Sequence, residues 1–225
     1  MYNNLLYSIV VFILILCSCN KKDPKTELNP GYEYFPLDTN SMHVYEIVRR
    51  SINLIEDITF TYYQKEQIAS IYKEGDETVY VLEKYIKPKE ADLWKEFPDT
   101  IETIRIADGK IIQTENNIRY LKLIFPVLEG RQWNGNIYNT LGNDIYTIKF
   151  LDKAFQLDNR SFDKTMTVEQ ASDTTDLTKR DVRFEVYAYN TGLIYKKNSR
   201  ISLDFVTGDT LEGTILYQKY LYNAY

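Results

Sequence analysis

Glu102-Thr103-Ile104-Arg105-Ile106-Ala107-Asp108-Gly109-Lys110-Ile111-Ile112-Gln113-Thr114 is the stretch that decides the fold. Two runs rich in β-branched residues flank an Asp-Gly dipeptide. Asp-Gly suits a type I′ turn, whose twist matches that of paired strands, so the segment reads as a β-hairpin. The same pattern extends in both directions. Upstream, Met42, Val44 and Glu46 alternate with His43, Tyr45 and Ile47, and Ile58 to Tyr63 is β-branched and aromatic. Ile68 to Tyr72 and Thr78 to Tyr85 flank the turn signal Glu74-Gly75-Asp76-Glu77. Downstream, Arg119 to Phe125 is a strand stopped by Pro126, followed by Asp144 to Phe150 and Phe162 to Gln170. Val182, Phe184, Val186 and Ala188 alternate with Arg183, Glu185, Tyr187 and Tyr189. Asn190-Thr191-Gly192 turns the chain into Leu193 to Lys196; Ile201 to Val206, a Thr207-Gly208-Asp209 turn and Leu211 to Leu221 complete the series.

Roughly ten to twelve short strands without alternating helices predict an all-β, antiparallel fold: a curved sheet, an open barrel or a sandwich. Helix is expected to be minor, one or two turns over Lys89 to Trp94 after Pro88. The polar Glu169 to Lys179 segment is expected to be a loop. Of 225 residues, 20 are Tyr and 10 are Phe, residue types that favour half-buried strand surfaces. Hydrophobic residues at 44% and charged residues at 26% place the chain among globular proteins rather than disordered ones. The 27 Lys and Arg against 32 Asp and Glu give a net charge of −5, which argues against a general nucleic-acid binder.

The N-terminus carries a targeting signal. Leu5 to Leu16 (LLYSIVVFILIL) is a twelve-residue run broken only by Tyr7 and Ser8. As a helix it would reach about 18 Å, short of the ~30 Å hydrocarbon core. It fits the apolar core of a signal peptide better than a membrane span. Leu16-Cys17-Ser18-Cys19 follows at once and resembles the bacterial lipobox. That resemblance implies Cys19 as the lipid attachment site and Leu16, Cys17 and Ser18 as the residues read by the signal peptidase. The n-region MYNN has no Lys or Arg. Asn20 to Gly31 is polar, holds Pro24 and Pro30, and reads as a tether. Its Lys21-Lys22-Asp23 resembles a weak form of the lysine-plus-acid export signal of Bacteroidota surface lipoproteins. Asn20 is not the Asp that retains many enterobacterial lipoproteins at the inner membrane. The expected organisation is therefore signal peptide 1–18, lipidated cysteine and tether 19–31, and one β-rich domain 32–225. The expected location is the cell envelope, lipid-anchored in the outer membrane, with the face left open.

Gly31-Tyr32-Glu33-Tyr34-Phe35-Pro36-Leu37 and Val44-Tyr45-Glu46-Ile47 resemble the opening of small, largely uncharacterised Bacteroidota lipoproteins, "Y-x-P-L-x-x-G-x-x-W-x-Y-x-V". Phe125-Pro126, Trp133-Asn134-Gly135 and the run from Glu185 through Asn190 to Tyr195 match further patches of that group. Asn40 and His43 stand where the pattern has glycine and tryptophan. The resemblance implies anchoring and a β-rich fold, not a reaction.

Catalytic equipment is sparse. His43 is the one histidine, which excludes a two-His metal site, and no Gly-x-Ser-x-Gly elbow accompanies it. Cys17 and Cys19 are the only cysteines, so the mature chain has no disulfide partner, Cys-zinc set or catalytic thiol. Phosphate-cradling glycine loops and the EF-hand pattern are absent, so neither metal nor cofactor is expected. Glu56-Asp57, Glu74/Asp76/Glu77 and Asp173/Asp176 read as solvated turn charges. Trp133-Asn134-Gly135-Asn136-Ile137-Tyr138 is the best candidate for ligand contact through Trp133, Asn134 and Tyr138, because a flat ring in a loop can stack on a sugar or peptide. The competing reading makes Trp133 the cap on one end of the core. Tyr217, Tyr220, Tyr222 and Tyr225 are expected to pack on or decorate the last strand.

The sequence points first to a non-enzymatic, membrane-anchored binding or envelope-interaction module, its partner an envelope protein, glycan or lipid. The alternative is a carrier of lipid or lipoprotein in an open β-barrel, which needs a large apolar pocket. A further alternative, a carboxylate-based hydrolase, needs two acids converging in a cleft with perturbed pKa values.

Overall fold

The computed structural model describes residues 29–39, 42–96 and 102–224. Leu16, Cys17, Ser18 and Cys19, with the stretch read as a signal peptide and most of that read as a tether, lie outside the described residues. The strands are β1 (Met42–Ile52), β2 (Asp57–Glu74), β3 (Glu77–Lys87), β4 (Lys95–Glu96), β5 (Glu102–Ala107), β6 (Lys110–Glu115), β7 (Ile118–Ile124), β8 (Gln132–Asn134), β9 (Ile145–Leu157), β10 (Arg160–Asp173), β11 (Lys179–Ala188), β12 (Gly192–Leu203) and β13 (Thr210–Ala224). They form one sheet in the order β7-β6-β5-β3-β2-β1-β13-β12-β11-β10-β9-β8, with β4 beside β3. Every pairing is antiparallel.

The two ends of this path meet. The Leu121 N–H of β7 donates to the Gly135 carbonyl at 2.8 Å, just past β8. The Trp133 indole Nε1 of β8 donates to the Leu121 carbonyl at 2.8 Å. The sheet is thus rolled nearly shut, which removes the exposed edges an open sheet would present. The larger core cluster confirms the roll. It joins Leu82, Ile104 and Ile111 to Ile148, Met166 and Val168, from strands far apart in the sheet order. Of the predicted alternatives, the structure is a nearly closed barrel rather than a sandwich.

Local chemistry explains the turns. Asp108 and Gly109 both have positive φ, 48° and 69°, as the type I′ turn requires. Asn116 and Asn117 do the same at 50° and 64° between β6 and β7. Four expectations need correction. Ile58–Tyr63 and Ile68–Tyr72 are parts of the single 18-residue strand β2, which continues through a bulge between Ile68 and Ser70. Leu193–Lys196 and the start of the Ile201 run are likewise one strand, β12. The Glu169–Lys179 loop shrinks to 174–178, because β10 continues to Asp173. Lys89–Trp94 forms turns, not helix: the Asp92 N–H donates to the Lys89 carbonyl at 3.1 Å, and the Lys87 ammonium sits 4.7 Å from the Trp94 ring. The helical turn found is a 3₁₀ turn at Tyr32–Tyr34.

That turn belongs to a strap across one end of the barrel. The Val127 N–H donates to Pro30 O at 2.9 Å, and the Asn190 N–H to Glu33 O at 2.8 Å. Tyr32 packs on Phe125, Tyr34 on Tyr189 and Phe35 on Tyr187, at ring separations of 4.4, 5.5 and 5.8 Å. Gly31 sits at φ 84°, and a Cβ there would lie 2.2 Å from Val127 Cγ2, so neither the turn nor the contact tolerates a side chain. On the same end lie the polar turns Gly75-Asp76, Asp108-Gly109 and Asn190-Thr191. The β9–β10 hairpin bends at Phe150 and Asp152, both at positive φ. Its tip reaches β12 and β13, where Phe155 meets Tyr195 and Phe162 meets Tyr220. Arg160 donates to the Tyr220 and Leu221 carbonyls. A second core cluster, including Leu157, Val186, Ala188 and Ile194, forms under this fold-over.

Candidate functional site

The inside of the barrel is crossed by an ionic brace. Lys122 on β7 places its ammonium 2.6 Å from Glu185 Oε1 on β11 and 3.2 Å from Glu115 Oε1 on β6. Lys196 on β12 lies 3.2 Å from the same Glu185 oxygen, and the Tyr187 hydroxyl donates to Glu185 Oε2 at 2.6 Å. Strands β7 and β11 are not neighbours in the sheet, so the Lys122–Glu185 pair spans the barrel. Nearer the strap, Lys84 pairs with Glu102 at 2.7 Å and Glu66 at 3.5 Å, while Gln113 donates to Glu102 at 3.0 Å. Toward the other end, the Arg183 guanidinium grips both oxygens of Asp144 at 2.7 and 3.0 Å and reaches Asp181 at 2.6 Å.

Glu185 is 1% exposed. Burial opposes its ionisation, but Lys122 and Lys196 outweigh burial and bring its pKa down to about 2. Glu115 is held well below the carboxylate range against the same penalty, chiefly by Lys122 and Lys196. Burial disfavours the Lys122 cation, yet Glu115 and Glu185 push its pKa up. Burial, with Glu185 beside it, pushes the Tyr187 hydroxyl up. At neutral pH the cluster is therefore a set of mutually satisfied charges. Glycoside chemistry between two carboxylates needs one that holds a proton at working pH. The carboxylate that burial raises, Glu102, is engaged by Lys84 and Gln113 and lines neither barrel cavity.

Two cavities flank the brace, and both are walled by Glu115, Lys122, Glu185 and Lys196. One, of about 290 Å³, lies under the strap at Phe35, Pro36 and Leu37 and takes walls from nine strands. The other, of about 440 Å³, lies under residues 135–144 and is mostly polar.

The ligand-contact residues named from sequence fall elsewhere. Trp133 is buried, with its N–H on the barrel seam and its ring 5.9 Å from Tyr146. A Cβ on Gly135 would come within 2.3 Å of that tyrosine ring. The indole therefore caps the core and is not offered to a ligand from solvent, which corrects the stacking expectation. Asn134 builds the following loop: its Oδ1 accepts from the Asn136 and Asp144 N–H groups, both at 3.0 Å. Tyr138 is exposed on that loop. The structure does not gather the three into one stacking surface. His43 lines the 290 Å³ cavity, its Nδ1 3.3 Å from the Tyr45 hydroxyl, and burial lowers its pKa. Among the described residues, no group of three or more His, Cys, Asp and Glu could hold a metal ion.

Sequence reasoning missed Lys122, Glu185 and Lys196. The available signal was position: Glu185 sits amid Phe184, Val186 and Tyr187, and Lys122 amid Leu121 and Leu123, where a wet strand face is hard to supply.

No protein-family model matches the chain, and no curated protein matches it significantly. A solved structure from Bacteroides fragilis, described as a candidate exported protein with a YmcC-like fold, is similar at 10% identity and a TM-score of 0.43. The match covers 85% of this chain and 98% of that one. Likeness at that level supports neither a common site nor a common activity.

Proposed function

We propose that this protein is a non-enzymatic, lipid-anchored envelope protein that works as an interaction module, and that its contact surface is the barrel end opposite the strap. The antiparallel order puts connections 53–56, 88–94, 116–117, 135–144, 174–178 and 204–209 at that end. Their tips carry bare aliphatic and aromatic side chains: Leu54 is 83% exposed, Ile55 92% and Val206 87%, with Leu93, Leu177 and Phe205 also exposed. The hairpin turns at the strap end carry Gly, Asp, Asn and Thr instead, and the apolar side chains exposed beside them, Tyr32 at 50% and Leu128 at 42%, are less bare. This one-sided crown is the observation that supports the reading, because exposed apolar clusters on soluble domains mark contact surfaces. The crown also lies at the far end from residue 29, where the tether enters, so an anchored molecule would present it away from its own membrane. The carrier alternative wants an apolar trough, and the charged brace across the barrel does not provide one.

Two measurements test the reading. Palmitate label is expected to enter the wild type and not Cys19→Ala; equal labelling would remove the anchor. Photo-crosslinking groups placed at Ile55 and Phe205 of the full chain in cells are expected to give a discrete protein adduct, whereas one at Asp76 is not. The same adducts from all three positions would defeat the crown as a specific surface.

A further inference from the structure

We infer that the 290 Å³ cavity beneath the strap is a binding site for an uncharged, hydroxyl-bearing molecule about the size of one pyranose ring. This rests on the barrel interior and is independent of the crown.

The charges on the cavity wall are already spoken for. Lys84 is bonded to Glu66 and Glu102, and Lys122 and Lys196 to Glu185 and Glu115. A charged ligand would have to break one of these pairs, leaving a buried ion uncompensated. What remains unengaged is neutral. Gln218 on β13 lines the cavity and is 8% exposed, and its side-chain amide makes no hydrogen bond among the described residues. The Oδ1 of Asn223, on the same strand and the same cavity wall, is buried without a partner. His43 faces Asn223 directly across the β1–β13 ladder. The Tyr45 hydroxyl donates to the Leu193 carbonyl at 3.3 Å, so it accepts from His43 Nδ1 at 3.3 Å. That assigns the proton to Nδ1 and leaves Nε2 as an acceptor.

Buried polar groups are rarely left unpaired in native proteins, and Asn223 Oδ1, with the unbonded Gln218 amide on the same wall, calls for a partner that brings its own donors and acceptors. Gln218 supplies both a donor pair and an acceptor; Asn223 and His43 supply acceptors. The other walls are different in kind: Ile68, Leu82, Leu193 and the Phe35 ring are apolar. A molecule with hydroxyls along one edge and C–H groups on its faces matches both, and a pyranose has that form. The volume, about 290 Å³, falls just below the usual range of ligand pockets, roughly 300 to 1,000 Å³, so a single ring fits and a long acyl chain does not. The strap lies over this cavity, so entry runs past Phe35-Pro36-Leu37.

The test uses the full-length protein in detergent, with methyl glucoside, methyl galactoside, methyl mannoside and N-acetylglucosamine as neutral probes and glucuronate as the charged one. Saturation-transfer NMR reads the ligand, and a thermal melt reads the protein. At least one neutral probe is expected to give transfer and raise the melting temperature, with glucuronate at least tenfold weaker. Gln218→Leu is expected to abolish transfer while melting no lower than the wild type, because it removes an unpaired buried amide. His43→Phe is the second variant, expected to weaken the same probe about tenfold. No transfer from any neutral probe, preference for glucuronate, or unchanged binding in Gln218→Leu would each overturn the inference.

Discussion

Replacing Lys122 with methionine is expected to lower the unfolding free energy by about 3–5 kcal/mol, the range for breaking a buried pair by removing one partner. The reason is what is left behind. Glu185 would keep Lys196 at 3.2 Å and the Tyr187 hydroxyl, but would lose its shortest ionic contact, at 2.6 Å, in a site 1% exposed. Glu115 would lose its 3.2 Å contact and retain only the 4.0 Å one to Lys196. Urea unfolding measures the loss. The double variant Lys122→Met, Glu185→Leu is expected to recover most of it, since a well-packed apolar pair can replace a buried ion pair at little net loss. A single-variant loss below about 1 kcal/mol, the range of exposed ion pairs, would mean water screens the brace. The same pair sets the acid limit. Glu185 falls from an ordinary 4.5 to about 2 in the fold, so the stability it lends is complete above pH 4.5 and is lost as pH falls toward 2. The double variant should show a shallower acid decline than the wild type.

The brace also explains why the interior was hidden in the sequence. In Val182 to Tyr189, alternation separates Val182, Phe184, Val186 and Ala188 from Arg183, Glu185, Tyr187 and Tyr189. A lone antiparallel sheet with one wet face would put the second set in water. Here both sets are covered: Val186 and Ala188 lie under the β9–β10 fold-over, and Glu185 and Tyr187 lie inside the barrel. Alternation reports two faces but not what covers each. Covering depends on closure between β7 and β8, residues that sequence spacing does not bring together. Turns are local and were legible. Asp108-Gly109, Glu74 to Glu77 and Asn190 to Gly192 all fall where their chemistry puts them. Asn116-Asn117 is a turn signal of the same kind, because asparagine tolerates the left-handed region that both residues adopt. Strand lengths were harder, because β2 runs on through the bulge between Ile68 and Ser70, where alternation slips and looks like an ending.

The two ends of the barrel differ in kind, and that difference links fold to proposed role. The strap end is tied down by backbone bonds at Pro30 and Glu33 and by three ring contacts. These contacts hold residues 30–37 against the end of the barrel opposite the apolar crown. The brace ties β7 to β11 across the interior and so resists shear between the two walls of the barrel. A braced barrel with one tied-down end and one bare apolar end suits the contact role proposed for it.

Trp133→Ala is expected to destabilise the barrel by about 3–5 kcal/mol, the range for truncating a large buried aromatic. Two losses add. The indole leaves a cavity against Tyr146, and its N–H no longer holds the Leu121 carbonyl on the seam. Trp133→Phe separates them: it keeps most of the ring volume but leaves that carbonyl to the backbone alone, so a smaller loss of about 1–2 kcal/mol is expected. Hydrogen exchange at the Leu121 amide, which bridges to Gly135 at 2.8 Å, reads the seam directly. Protection there should fall more than at Ile47 on β1, which lies midway along the sheet order and farthest from the seam. An exposed stacking tryptophan would behave oppositely, changing ligand affinity while leaving stability and exchange near wild type. Because the ring sits at 8% exposure with its donor spent on the backbone, the stability result is the one the geometry requires.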